Sequence, residues 1–179
     1  DGTGVKYATI DAINGGIVKL TGNQTIAGVK TFSSDALING LTVGRGLGNI
    51  ATNTANGVSS LSVNTTGINN VSNGFESLRL NTTGSGNTAI GSSSLSANTT
   101  GNDNVASGLL ALRQNTTGSG NTAIGKSALQ NNTAGLSNAS TGFRSMEANT
   151  TGNDNVASGL LALSANTTGS GNTAIGRTA

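Results

Sequence analysis

Asn115-Thr116-Thr117-Gly118-Ser119-Gly120-Asn121-Thr122-Ala123-Ile124-Gly125-Lys126-Ser127-Ala128-Leu129-Gln130-Asn131 is one unit of a 17-residue repeat. With Asn115 counted as offset 0, the Asn-Thr-Thr-Gly anchor also starts at Asn64, Asn81, Asn98, Asn149 and Asn166. A variant with Ala134 in place of the second Thr starts at Asn132. Offset 3 is always Gly (Gly67 to Gly169), offset 6 always Asn (Asn70 to Asn172) and offset 10 always Gly (Gly74 to Gly176). Offset 14 is Leu78, Leu95, Leu112, Leu129, Met146 and Leu163. A degenerate copy precedes these, with Asn53, Ala55, Gly57 and Leu61 in register. The last copy stops at Ala179, before its expected Leu, and the chain starts at Asp1 rather than Met; both features predict a piece of something longer.

A fixed period means stacked units that cannot bury an apolar face alone. Seventeen residues are too few for a helix pair or a propeller blade and suit one coil of a solenoid. The expected fold is mainly β, a parallel β-roll of about eight rungs over residues 47–179, on the order of 40 Å long. The invariant Asn are expected to form ladders, each amide bonding the next. The invariant Gly mark corners of positive φ or close backbone approach. Offsets 6 to 10 read as a short strand whose small offset 8 (Ser72, Ala89, Ala106, Ala123, Ser140, Ala157, Ala174) points inward, towards the offset-14 Leu.

The opposite strand face carries offsets 7, 9 and 11 in two size patterns. Val105, Ser107 and Leu109 are large at the ends; Thr122, Ile124 and Lys126 place the large apolar residue in the middle. Such size complementarity belongs to a packed surface, so this face is expected to meet another chain. A stack this thin buries little by itself, and association through a second face adds to that burial. Offsets 11 to 16 contain good helix formers and read as one helical turn per rung, with a second strand as the alternative.

Residues 1–46 lack the period and read as an extended shaft segment without its own core. Within it Thr25–Phe32 and Leu41-Thr42-Val43 look strand-like, and Asn14-Gly15-Gly16, Thr21-Gly22-Asn23 and Asn39-Gly40 look like turns.

Composition excludes several chemistries. The 179 residues include no Cys, His, Pro or Trp, and the only aromatics are Tyr7, Phe32, Phe75 and Phe143. The usual zinc, haem and iron–sulfur ligands, disulfides, and Cys- or His-based triads are therefore missing. Nine cations against seven anions form no basic stripe for nucleic acid, and no apolar run is long enough to insert in a membrane.

The remaining motifs read most simply as structure. Asn-Thr-Thr matches a glycosylation acceptor six times, but its recurrence at a corner favours a ladder. Gly84-Ser85-Gly86 and Gly44-Arg45-Gly46-Leu47-Gly48 lack the Lys-Ser/Thr and βαβ context of a phosphate loop and read as turns. Asp103 and Asp154, both at offset 5, suit calcium by chemistry, yet five rungs lack the Asp; a solvated corner is favoured. Glu76 and Glu147 lie far apart along the axis, unlike a glycosidase pair. Paired Thr at offsets 1 and 2 make a weaker ice-binding array than Thr-x-Thr. The variable offsets 12 and 15 (Glu76, Arg79, Arg113, Arg144, Glu147) are expected surface, mostly solvating. No catalytic, cofactor or metal residue is assigned, and no enzyme is expected.

The Asn-Thr-Ala-Ile-Gly strings at Asn87–Gly91, Asn121–Gly125 and Asn172–Gly176 resemble the head repeats of trimeric autotransporter adhesins. In that family they form a left-handed parallel β-roll, three to a threefold axis, with a period usually a little shorter. Leu20–Ser34 resembles a segment common in bacteriophage tail-fibre proteins. The two resemblances imply a homotrimeric virion tail fibre supporting host attachment, with any receptor or glycan bound through another part. A bacterial cell-surface adhesin head is the alternative, and an ice-binding solenoid is remote.

Overall fold

A computed structural model describes residues 36–38, 41–46, 48 and 50–179, with the side chains of 36–38, 41 and 42 left aside. All of these belong to the second of the two units into which the chain divides, Phe32–Ala179. The strand-like stretch expected at Thr25–Phe32 and the turns expected at Asn14-Gly15-Gly16 and Thr21-Gly22-Asn23 lie outside the described residues, as does Asn39-Gly40.

The described residues form one ten-stranded sheet in chain order. Its strands are β1 (Ala36–Ile38), β2 (Leu41–Gly44), β3 (Thr54–Gly57), β4 (Val71–Asn73), β5 (Thr88–Ile90), β6 (Val105–Ser107), β7 (Thr122–Ile124), β8 (Ala139–Thr141), β9 (Val156–Ser158) and β10 (Thr173–Ile175). From β3 to β10 every pair is parallel, each residue sitting beside the one seventeen positions on. Eight parallel strands at this spacing make seven full turns of a solenoid, about 34 Å along the axis. The strand expected at Leu41-Thr42-Val43 is β2. It runs antiparallel to β3, and β1 runs antiparallel to β2 with Ile38 opposite Leu41.

Burial follows the period. In each strand from β3 to β9 the offset-8 residue is buried and faces inward, and Ala89, Ala106 and Ala123 are fully buried. Opposite them lies the offset-14 column, Leu61, Leu78, Leu95, Leu112, Leu129 and Met146, each with no exposed surface. A third inward column, missed in the sequence, is offset 13: Ser60, Ser77, Ser94, Ala111, Ala128, Ser145 and Ala162. Where Ser occupies both columns, hydroxyls replace methyls: Ser60 donates to the Ser72 hydroxyl at 2.7 Å. Ser72 in turn donates to the Ser77 carbonyl at 2.8 Å.

Both Asn columns are ladders, as expected. At offset 0 each side-chain amide donates to the Oδ1 of the Asn one rung earlier, at 2.7–3.0 Å from Asn81 to Asn166. The offset-6 column repeats this at 2.9–3.2 Å from Asn87 to Asn172. The second N–H of each such amide as far as Asn166 also has a partner, a glycine carbonyl. Asn98 donates to the Gly101 carbonyl at 3.0 Å, and Asn87 donates to the same carbonyl at 2.8 Å from the other side. Two buried amides per rung are thus satisfied by one glycine carbonyl and by their own copies, which removes the cost of burying them.

The two invariant glycines differ in reason. Offset 10 has positive φ, 125° to 146° from Gly57 to Gly176. Offset 3 has no positive φ and is needed for closeness alone. A Cβ on Gly118 would strike the Asn115 Oδ1 and come within 2.5 Å of the Gly135 carbonyl.

The helical turn expected at offsets 11 to 16 is overturned: there is no helix among the described residues, and the strand alternative fails too. The leg is a run of tight turns with positive φ on alternate residues. At offset 12 these are Glu76 at 53°, Leu110 at 61° and Arg144 at 53°. At offset 14, Leu61 through Leu163 all fall between 46° and 50°. Alternation aims the N–H groups of offsets 12 and 14 at opposite neighbours, while that of offset 13 bonds within its own rung. Glu76 donates to Val58 of the rung before, and Leu78 to Ser94 of the rung after. A left-handed Leu costs about 1–2 kcal/mol. Its complete burial, worth about 2 kcal/mol, and its inter-rung hydrogen bond offset that cost.

Candidate functional site: the outer strand face

With offset 8 turned inward, offsets 7, 9 and 11 project from the other side of the sheet. Val71, Val105 and Val156 at offset 7 are exposed, as are Ile90, Ile124 and Ile175 at offset 9. At offset 11 so are Val58, Phe75, Leu109, Phe143 and Leu160. Phe75 leaves 52% of its surface open and Ile124 leaves 45%, far more than isolated solubility would favour in a chain with few large apolar residues. The two size patterns therefore occupy one continuous face. Bulk moves from the edges at β4 to the centre at β5 and back to the edges at β6. Lys126 lies within this face with its ammonium 5.8 Å from the centre of the Phe143 ring, so its stem and charge both lean on an apolar neighbour.

The other residues weighed in the sequence fall elsewhere. Asp103 and Asp154 sit at positive φ, 55° and 56°. So do Asn69 and Ser137 at the same offset, and Gly86, Gly120 and Gly171. Offset 5 is a left-handed corner, and Gly, Asn and Asp are the residues that tolerate one. The signal was present in that residue set. Asp103→Gly is accordingly expected to change stability by less than about 1 kcal/mol. Melting should respond equally to calcium and to a chelator in both proteins. A calcium-dependent gain that vanishes in the variant would restore the ion-site reading.

The Asn of the first five Asn-Thr-Thr strings, Asn64, Asn81, Asn98, Asn115 and Asn149, are fully buried, so the folded stack offers their amides to no modifying enzyme. The offset-1 Thr hydroxyls are consumed: Thr82 donates to the Thr99 carbonyl at 3.0 Å and Thr99 to Thr116 at 3.0 Å. The offset-2 Thr face out in a column interrupted at Ala134. Gly46 and Gly86 have positive φ, in keeping with turns. Glu76 lies 3.9 Å from Arg79, and Glu147 accepts a hydrogen bond from Arg144. The two carboxylates sit four rungs apart, about 19 Å along the axis. No group of three or more metal-ligating side chains occurs among the described residues, and no helix there is long and apolar enough to cross a membrane.

Compared with known protein families, curated proteins and solved structures, the chain gives no significant match.

Proposed function

We propose that this chain is a segment of a homotrimeric fibre, a virion tail fibre that supports attachment to a host surface. The observation that carries the reading is the outer strand face. A regular stack whose interior is already complete keeps a second row of large apolar side chains in the open. Contiguous apolar surface of this kind marks an association site. The number three and the viral setting rest on resemblance alone: the Asn-Thr-Ala-Ile-Gly strings and Leu20–Ser34. The role is mechanical. Parallel rungs joined by amide ladders make a stiff rod, and carboxylates about 19 Å apart do not make a glycosidase pair, which needs about 5–10 Å. The second reading, a bacterial surface adhesin head, draws on the same Asn-Thr-Ala-Ile-Gly strings.

Native mass by light scattering in dilute solution tests this directly. Three chains are expected; a folded, stable monomer would overturn the assembly and return the outer face to solvent or ligand. Because the chain has no Cys, crosslinking is clean. Val105→Cys with Leu109→Cys places one thiol at each edge of the face. Oxidation should close covalent trimers and stop there.

Ile124→Asp is expected to dissociate the assembly at concentrations where Lys126→Asp leaves most of it intact. The first puts a charge at the centre of the face, and the second exchanges one charge for another at its edge. Sedimentation velocity of the two variants is the check, and equal dissociation would refute the central placement of offset 9.

A further inference from the structure

Offset 15, on the second leg, is the column where the repeat varies most in charge: Arg79, Ser96, Arg113, Gln130 and Glu147 follow one another up the stack. Arg79 and Arg113 stand two rungs apart, about 10 Å along the axis, with Ser96 and Ala97 between them. The result is a concavity of about 180 Å³ lined by Arg79, Leu80, Ser96, Ala97, Arg113 and Gln114. The Nε of Arg79 is shielded from water and has no hydrogen-bond acceptor. Its nearest carboxylate, Glu76, is 3.9 Å away, too far to accept its proton. A shielded donor left unpaired is costly, so Glu76 satisfies the Arg79 guanidinium only in part. Arg113 is exposed and forms no ion pair among the described residues, whereas Arg144 is held by Glu147.

We propose that the notch between Arg79 and Arg113 binds one carboxylate- or sulfate-bearing sugar residue of an acidic polysaccharide. Two arginines lining one gap bring positive charge and guanidinium N–H donors to it, the chemistry that an oxyanion accepts. The Gln114 amide and Ser96 hydroxyl can both donate to and accept from ring hydroxyls. Leu80 and Ala97 provide an apolar patch for the C–H face of the ring. The space is smaller than the roughly 300–1,000 Å³ that drug-sized ligands occupy. It is also open at the surface, which suits a single ring whose polymer continues outside. The notch is on the second leg, not the strand face, so the proposal stands or falls separately from the assembly.

The test is calorimetric titration of the whole chain with four probes: a uronic-acid disaccharide, a sulfated disaccharide, a neutral disaccharide and sodium sulfate. An acidic disaccharide is expected to bind more tightly than either the neutral sugar or sulfate. Arg79→Gln and Arg113→Gln should each weaken it at least about tenfold, as loss of a charge-assisted hydrogen bond does, while Arg144→Gln should leave it unchanged. Offset 15 already holds Gln130, so these variants should keep the wild-type melting temperature. Failure of both acidic sugars to bind, or equal binding of the neutral one, would overturn the proposal. So would sulfate binding as tightly as the sugars, which would mean an adventitious ion only. An equal loss in Arg144→Gln would point to general charge attraction and refute the notch.

Discussion

Leu112→Asp is expected to unfold the stack around its site, with a loss of more than about 4 kcal/mol. Leu112 is one of six contiguous large side chains with no exposed surface, between Leu95 below and Leu129 above. An aspartate there loses the apolar contacts of a whole side chain. It also places a charge where the nearest polar groups, the Asn amides, already have all their protons engaged. Protonating the carboxylate would relieve the charge but not the cavity. Leu112→Met serves as the control, because the same column accepts Met146 one turn beyond Leu129. It should cost less than about 1.5 kcal/mol. Thermal melting followed by far-ultraviolet circular dichroism checks both. An aspartate variant that melts near the wild type would mean that the offset-14 column is not the core.

The second large effect separates two glycines only two residues apart. Gly118→Ala is expected to destabilise the stack by about 3 kcal/mol or more, since the new methyl meets backbone and a ladder oxygen that cannot retreat without parting the rungs. Gly120→Ala should cost only about 1 kcal/mol. Its φ is +68°, yet the nearest atom to an added Cβ is the Ser137 hydroxyl at 3.6 Å, and equivalent corners already hold Asn69 and Asp103. Urea unfolding of the two variants gives the comparison. The reverse order would mean that backbone conformation, and not rung spacing, limits this corner.

Most of the architecture was legible because it is repetitive. An Asn that returns every seventeen residues beside an invariant Gly has few explanations, and the ladders at Asn98 and Asn104 have the bonding that spacing predicted. The strand read at offsets 6 to 10 is present but shorter, at offsets 7 to 9, with one inward and two outward side chains. The second leg was not legible. Leu109-Leu110-Ala111-Leu112-Arg113-Gln114 prefers a helix locally, but in the stack the N–H groups of Leu110, Leu112 and Gln114 reach carbonyls of adjacent rungs, and alternating signs of φ aim them there. No residue in that stretch favours a positive φ, so composition carries no trace of it. The offset-13 column was legible in principle, since it never exceeds the size of Ser or Ala. Of the candidate site, the outer apolar face was readable from size alternation. The notch between Arg79 and Arg113 was not, because nothing in a linear string shows that residues thirty-four positions apart flank one hollow.

The shared glycine carbonyl has a consequence for how such a chain can vary. Each rung gives its neighbour the same atoms that it receives, so a whole added unit finds every partner ready and lengthens the rod by about 4.8 Å. Inserting or deleting a single residue would instead displace both amide columns and turn the buried Leu towards water. The units beginning at Asn98 and Asn149 are identical through Leu112 and Leu163, as copying of entire modules would leave them. Length in such a stack thus changes in fixed increments, like notches on a ruler, while the cross-section stays the same.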